Sequence, residues 1–338
     1  MGILRDNYEG MKKWVEYCRS TSHGSLRDNR GGDFGDWLSI GADSNKDVIG
    51  TGYYAYSTRL LAKTAAVLGN TADAATYEAL FRDIRSAFNT KFVNPTTGAF
   101  IGAGTNTQCC YLMALKFDLL PDVLRPHVAE LLDKDIASRG YHLSTGFVGV
   151  SYLLPVLTQV GKNETAYKLL MQDSFPSWPF SVKNGATTIW ERWDGWTPDK
   201  GFQTIAMNSY NHYSLGSCGE WLYTTVAGIN QEPTSAGFKK IIIHPQPGGP
   251  LTFAKGSFRS VHGMISTAWQ KSAAGFSLET TIPADTTAVV YVPAANAAAV
   301  KESGNPAASA PGVTVMGMEN GAAKFAVGAG HYKFTVGR

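Results

Sequence analysis

The hydrophobic pattern of this 338-residue chain changes from a helical period to short strand-like runs near residue 230. Residues 47–172 carry apolar side chains at i, i+3 and i+4 spacing, in segments separated by brief turns, as amphipathic helices do. From Lys239 onward, short apolar runs are bounded by glycine and proline, which is typical of antiparallel strands. The pattern therefore predicts a mainly α chain with a β domain: helical hairpins over residues 1–230, then an antiparallel β-sandwich over residues 231–338.

The helical part divides into successive segments of ordinary helix length. We predict helices at residues 7–19, 47–68, 71–91, 105–117, 121–138, 146–160, 162–172 and 214–227. Gly69 and Asn70 stop the second segment, and Thr71 is a favourable cap for the third. Because the connections are short, consecutive helices are expected to pack as antiparallel hairpins.

Charge and composition narrow the classes of partner. Lys and Arg total 30 against 27 Asp and Glu, a net charge of +3, which argues against nucleic acid or an anionic membrane as partner. No stretch of about 18 apolar residues occurs, so no transmembrane helix is predicted. The four cysteines lack the spacing of a metal site, and we expect neither a metal nor another cofactor.

The N-terminus, residues 1–10, lacks the apolar segment of a signal peptide. The same residues resemble the interior of a helix, because no N-cap residue precedes them. Localisation is left open, with a cytoplasmic one favoured, and we expect the chain to be a fragment of a longer protein.

The stretch at residues 185–196 alternates tryptophans with charged residues. Its members are Trp190, Glu191, Arg192, Trp193, Asp194 and Trp196. On an ordinary surface loop, the indoles would expose large apolar areas. In a core strand, burial of the unpaired charges would cost free energy. A concave site with aromatic walls and a few polar groups accommodates both, and it suits a sugar. The alternative is an amphipathic core strand with Glu191 and Arg192 paired at its edge.

A second cluster of aromatic and acidic residues lies at residues 31–38. Asp33, Asp36 and Trp37 stand between glycines, and loops of this kind often carry binding groups. The alternative is a turn in which the aspartates cap a helix or bond their own backbone.

Several motifs in these clusters resemble glycoside hydrolase family 78, the bacterial and fungal α-L-rhamnosidases. The matching motifs are Gly35-Asp-Trp-Leu, Gly146-Phe-Val-Gly, Pro176-Ser-Trp, Gly185-Ala-Thr-Thr-Ile-Trp-Glu-Arg-Trp-Asp-Gly and Asn211-His212. The resemblance covers essentially the whole chain and corresponds to the C-terminal part of those enzymes. It implies an (α/α)6 barrel without its opening helices, followed by the terminal β-sandwich.

The resemblance also implies roles for individual residues. Members of the family invert configuration, with two carboxyl groups roughly 6.5–9.5 Å apart flanking the scissile bond. Glu191 corresponds to the general base, His212 to a substrate-contacting histidine, and Trp37 to a wall of the rhamnose pocket. By proximity, further candidates for substrate contact are Asp36, Trp190, Trp193, Asp194 and Trp178. For His212 the alternative is a core histidine bonded to a backbone carbonyl.

One expected motif is absent from this sequence. The family's general acid is the glutamate of an Arg-Asp-Glu-Arg motif, whereas the similar run Arg27–Arg30 has Asn29 at that position and lies too close to Trp37. We therefore expect an α-L-rhamnosidase of reduced activity acting on a rhamnose-containing glycoside. The alternatives are a non-catalytic carbohydrate-binding or interaction fragment, and another helical-barrel glycosidase. An incomplete barrel would leave apolar helix faces uncovered, which favours self-association.

Overall fold

The structure is a computed structural model that describes residues 2–28 and 33–337. Asn29 and Arg30, which end the Arg27–Arg30 motif, lie outside the described residues. The chain forms two compact units, which divide between Gly216 and Ser217. The sequence pattern predicts the domain border at residue 230, and that border stays a prediction.

The first unit is helical, as predicted. Its α-helices are α1 Gly2–Ser20, α2 Lys46–Leu68, α3 Thr71–Phe92, α4 Gln108–Lys116, α5 Arg125–Ser138, α6 Phe147–Gln159, α7 Asn163–Met171 and α8 Trp178–Lys183. Single 3-10 turns occur at Asp122–Leu124 and Ile205–Met207, and a two-stranded hairpin pairs β1 Trp196–Thr197 with β2 Gly201–Phe202. Helix α2 packs on α1 and α3, and α4 packs on α5 and α6.

Local capping sets the ends of the hairpins. The side chain of Asn45 accepts the N–H of Val48 at 3.1 Å, which starts α2. Gly69 ends that helix in the left-handed conformation, with φ of 82°. Only Gly69 and Asn70 then separate α2 from α3, so the two helices form the predicted antiparallel hairpin.

Helix α8 is not among the helices that the sequence predicts, because Pro176 and Pro179 interrupt the helical pattern there. Ser177 accepts the N–H of Phe180 at 3.1 Å and caps the helix. Pro179 lies in the first turn, where a missing N–H costs nothing. A proline that signals a break in the sequence therefore starts a short helix here.

The second unit begins with helix α9, Cys218–Trp221, which continues into a π-helical turn, Leu222–Val226. A 3-10 turn lies at Ser214–Ser217 just before it. The strands that follow are β3 Ile229–Gln231, β4 Lys240–Ile243, β5 Phe253–Ser260, β6 Gly263–Ser272, β7 Gly275–Ile282, β8 Thr287–Pro293, β9 Val300–Glu302, β10 Asn305–Pro306, β11 Val313–Glu319, β12 Ala322–Val327 and β13 Gly330–Gly337.

These strands form two sheets, with the orders β10-β9-β13-β7-β6-β5 and β11-β12-β8-β4-β3. Phe325 on β12 stacks on Phe334 on β13 at 5.3 Å, so side chains of the two sheets meet in one core. The predicted sandwich is confirmed. One pair differs from the antiparallel prediction, since β4 and β8 are parallel, which the intervening strands β5 to β7 of the other sheet permit.

Two absences concern the described residues. No helix in residues 2–28 or 33–337 is both long and apolar enough to cross a membrane. Within the same ranges, no cluster of three or more His, Cys, Asp or Glu side chains could hold a metal ion.

Candidate active site

Segments that are distant in the sequence meet at residues 144–149, which we call the α6 start. The carbonyl of Trp37 accepts the N–H of Phe147 at 2.9 Å. The ring of Phe147 lies 4.9 Å from that of His212, between centroids. The indole Nε1 of Trp193 donates to the carbonyl of Thr145 at 2.9 Å. The α6 start therefore contacts three of the four segments that carry predicted site residues, those of Trp37, Glu191 and His212.

Gly146 allows two backbone segments to approach each other closely. A Cβ atom at this position would lie 2.1 Å from the carbonyl oxygen of Trp37 and 2.5 Å from that of Asp36. No side chain fits in that space. The Gly-Asp-Trp and Gly-Phe-Val-Gly motifs are therefore two halves of one packing contact.

Asp36 caps helix α6 with a buried carboxylate. Its side chain accepts the N–H groups of Gly146 at 2.8 Å, Val148 at 2.9 Å and Gly149 at 3.0 Å. Burial raises the pKa of Asp36, and the three backbone hydrogen bonds oppose that shift. Only 5% of the residue is exposed. We therefore revise its interpretation from a substrate contact to a helix cap, the alternative that the sequence left open.

Trp190 and Trp193 anchor the loop that holds Glu191. Both are buried, with 7% and 2% of their surface exposed. The ring of Trp190 packs edge-on against Tyr210 at 5.7 Å, and the Tyr210 hydroxyl donates to the carbonyl of Gly195 at 2.6 Å. We therefore assign these two indoles to the support of the loop and no longer to walls of a sugar pocket.

Arg192 and Asp194 form a bidentate ion pair. Nε and Nη2 of Arg192 reach the two carboxylate oxygens of Asp194 at 2.8 and 3.0 Å. The hydrogen bonds from Arg192 lower the pKa of Asp194, and the same contact raises the pKa of Arg192. Gln203 also donates to Asp194 at 3.2 Å. Asp194 therefore stabilises the loop, and the sequence alternative in which Arg192 pairs with Glu191 is not observed.

Glu191 is the carboxylate of this loop whose side chain has no partner among the described residues. Its backbone N–H donates to the carbonyl of Ser209 at 2.8 Å. Its half-buried side chain forms no hydrogen bond or ion pair with any residue of the described ranges, although its charge contributes to the raised pKa of Arg192. The loop therefore presents one carboxylate while its neighbours are held in place.

His212 lies on the segment that runs beside Glu191. Its backbone N–H donates to the carbonyl of Ile189 at 2.8 Å, and its ring contacts those of Phe147 and Tyr213. Nδ1 accepts the N–H of Ser214 at 3.3 Å, so the ring proton is assigned to Nε2. In the described part of the chain Nε2 has no partner, and the alternative of a core histidine bonded to a carbonyl is not observed.

Trp178 and Trp37 are half-buried and differ in their surroundings. The indole of Trp178 donates to the carbonyl of Leu215 at 2.7 Å and packs edge-on against Trp193 at 5.4 Å. Trp178 therefore packs against the loop that holds Glu191 through Trp193. Trp37 instead packs against Phe34, with centroids 5.1 Å apart.

Comparisons with known proteins match both units. A family model described as the bacterial alpha-L-rhamnosidase 6 hairpin glycosidase domain matches residues 1–226. A second, the bacterial alpha-L-rhamnosidase C-terminal domain, matches residues 228–306. The chain belongs to the bacterial α-L-rhamnosidases.

Individual rhamnosidases show the same likeness over nearly the whole chain. An α-L-rhamnosidase of Streptomyces avermitilis is 43% identical over 334 residues, which are 99% of this chain and 31% of the relative. One from Formosa agariphila is 38% identical, covering 89% of this chain and 32% of the relative. The crystal structure of the Streptomyces avermitilis enzyme complexed with L-rhamnose superposes with a TM-score of 0.91 at 42% identity, covering 99% of this chain and 31% of that one.

A fungal structure extends the comparison. The α-L-rhamnosidase of Aspergillus terreus has a TM-score of 0.82 at 28% identity, covering 98% of this chain and 36% of that one. These matches favour the rhamnosidases over the other helical-barrel glycosidases considered above. The chain spans about a third of the length of the curated relatives it matches.

Three aromatic residues beside the rhamnosidase motifs were not singled out in the sequence. Phe147 joins Trp37 to His212 through the contacts described above. Phe34 and Tyr213, which are 73% and 85% exposed, flank Trp37 and His212. Their positions in the sequence were the available signal, since Phe147 lies within Gly-Phe-Val-Gly and the other two adjoin Gly-Asp-Trp and Asn-His.

Proposed function

We propose that this chain provides the rhamnose pocket and the general base of an inverting α-L-rhamnosidase. Its substrate would be a glycoside with a terminal α-L-rhamnose. In this proposal Glu191 removes a proton from the attacking water, and the water then attacks the anomeric carbon from the face opposite the leaving group.

The observation that carries the proposal is the contrast between Glu191 and its neighbours. Trp190 and Trp193 are buried, and Arg192 is paired with Asp194. The carboxylate of Glu191 alone in this run keeps its acceptor capacity, on a backbone fixed by the bond to Ser209. A general base needs this combination of an available carboxylate and a rigid support.

Trp37 and His212 fit the role of substrate contacts. Both contact Phe147, Trp37 through its backbone carbonyl and His212 through its ring. An indole face suits the apolar C–H surface of a deoxy sugar, and Nε2–H of His212 is a donor for a sugar hydroxyl. The exposed ring of Phe34 packs against Trp37, and that of Tyr213 stacks on His212.

The test is hydrolysis of p-nitrophenyl α-L-rhamnoside, with the anomer of the first-formed rhamnose read by NMR. We expect inversion, and a rate reduced roughly 10²–10⁴-fold in Glu191→Gln, as for loss of one general acid–base group. Glu78→Gln on α3, an exposed glutamate far from this loop in the sequence, is the matched control and should keep the wild-type rate. Retention of configuration, or full activity of Glu191→Gln, would refute the assignment.

The leaving group tests the role of the absent Arg-Asp-Glu-Arg motif. Without a general acid, an aryl rhamnoside with a good leaving group should react, while an alkyl rhamnoside should lose most of the contribution of roughly 10²–10⁴-fold that a general acid makes. Equal rates on both substrates would mean that another group of this chain protonates the leaving oxygen. Asp33, nearly half exposed, is the first candidate.

A non-catalytic carbohydrate-binding function is the second candidate, favoured by the same missing motif. Calorimetric binding of L-rhamnose without turnover of the aryl substrate would support it. Binding together with turnover would support the enzyme.

We also propose self-association through α2. Tyr53, Leu60 and Val67 lie on one side of this helix, two turns apart, and are 37%, 40% and 53% exposed. Exposed apolar residues along one side of a helix are typical of a contact surface, and we call these three residues the α2 stripe.

A further inference from the structure

The α6 start connects the site segments, and a single buried carboxylate fixes it. Asp36 receives three N–H groups of the first turn of α6, the groups that a helix leaves without an internal partner. The positive end of the helix dipole also favours a carboxylate at this position. Asparagine at position 36 would not satisfy the same three donors, because a neutral amide presents one acceptor oxygen and one donor nitrogen.

Backbone hydrogen bonds extend the contact on both sides of Asp36. Ser39 N–H donates to the carbonyl of Asp36 at 3.0 Å, and Ile40 N–H donates to the carbonyl of Ser144 at 3.0 Å. Together with the bond from Phe147 to Trp37, these contacts hold residues 36–40 against the α6 start. The position of Trp37 is therefore determined by the fit of Asp36 to α6.

The α6 start also contacts the other two segments. Trp193 bonds Thr145 and fixes the Glu191 loop, and Phe147 packs on His212. A shift of the α6 start would displace the base and the substrate contacts together. We propose that Asp36 is a positioning residue that holds Trp37, His212 and the Glu191 loop in one geometry without touching the substrate. This inference rests on the proposed function for its kinetic part only.

The first test is spectroscopic and independent of activity. In Asp36→Asn, one N–H donor of the α6 start faces an amide nitrogen in place of an oxygen, so the α6 start must move. We expect the indole N–H resonance of Trp193 to shift, because its acceptor is Thr145. The indole of Trp269, which bonds Val226 in the second unit, is the internal reference and should stay unchanged. An unmoved Trp193 resonance would overturn the proposal.

The second test separates positioning from stability. Asp36→Asn should raise KM for p-nitrophenyl α-L-rhamnoside and the Kd for L-rhamnose roughly tenfold or more, since small misplacements of a site are costly. Asn94→Ala removes another side chain that caps backbone N–H groups, in the turn before Gly98, and should leave KM and Kd unchanged. Equal KM and Kd in wild type and Asp36→Asn would refute the positioning role.

Two further results must be provided for: a variant that does not fold, and a wild type that shows no activity. If Asp36→Asn does not fold, Trp193→Phe removes the Thr145 bond from the other side and should shift the Trp37 resonance, and an unmoved Trp37 resonance would refute the coupling. If wild type neither binds nor hydrolyses rhamnosides, the proposed function fails, while the Trp193 resonance still decides the positioning role.

Discussion

Replacement of Gly146 by alanine should destabilise the helical unit sharply. The added Cβ would lie 2.1 Å from the Trp37 carbonyl oxygen and 2.7 Å from the backbone nitrogen of Ser39, well inside the normal contact distance of about 3.5 Å. The clash is with backbone atoms, so no rotamer change relieves it. Because φ of Gly146 is −93°, the penalty is steric and involves no left-handed backbone.

The magnitude follows from the contacts that must separate. Gly146 N–H bonds the Asp36 carboxylate at 2.8 Å, and the adjacent Phe147 N–H bonds the Trp37 carbonyl at 2.9 Å. A charged hydrogen bond is worth about 1.5–3 kcal/mol and a neutral one about 0.5–1.5 kcal/mol. Alanine restores roughly 0.4–1 kcal/mol by restricting the unfolded chain. The net loss should be about 1–4 kcal/mol.

Urea unfolding followed by far-ultraviolet circular dichroism measures this loss. Gly10→Ala in the exposed middle of α1 is the matched control, since an added Cβ there meets no atom within 4 Å. It should stabilise the helix by roughly 1 kcal/mol. A Gly146→Ala protein within about 0.5 kcal/mol of wild type would refute the close-packing argument, because that is the ordinary range of surface substitutions.

Two further predictions concern the pH dependence of stability and the self-association of the chain. Hydrogen bonds from Lys91 and His23 lower the pKa of Asp28, so their contribution is present above the ordinary carboxyl pKa and is lost as pH falls through the depressed one. Asp28→Asn should therefore lower Tm at pH 7 by a few degrees, and differential scanning calorimetry at acidic pH should show that difference shrinking; a constant difference would contradict it. Leu60→Glu should abolish any concentration-dependent increase in mass in light scattering, while Val123→Glu at an exposed apolar residue outside α2 should not; persistence of the larger species in Leu60→Glu would exclude the α2 stripe.

The helical and strand periods were sufficient to predict the two-part fold. Apolar spacing located α2, α3 and α6 within a few residues, because each helix buries one continuous face. The parallel pairing of β4 with β8 could not be predicted in the same way. Periodicity reports which face of a strand is buried and contains no information on its neighbour.

The site was predicted less completely than the fold. The alternation of tryptophan and charge marked residues 190–194 correctly as unusual, but spacing could not reveal that Trp190 and Trp193 face the interior. Nor could spacing show that Asp194 is paired with Arg192 while the side chain of Glu191 has no partner among the described residues. These distinctions depend on contacts with Tyr210 and Thr145, which are distant in the sequence.

The hydrogen bond between Asp36 and Gly146 joins residues 110 positions apart, and that between Trp193 and Thr145 joins residues 48 apart. Closing loops of this length costs chain entropy before any contact repays it, so such pairings form late in folding. The α2–α3 hairpin needs only a two-residue connection and can form early. During refolding, helical content should therefore return before the contacts of the α6 start form.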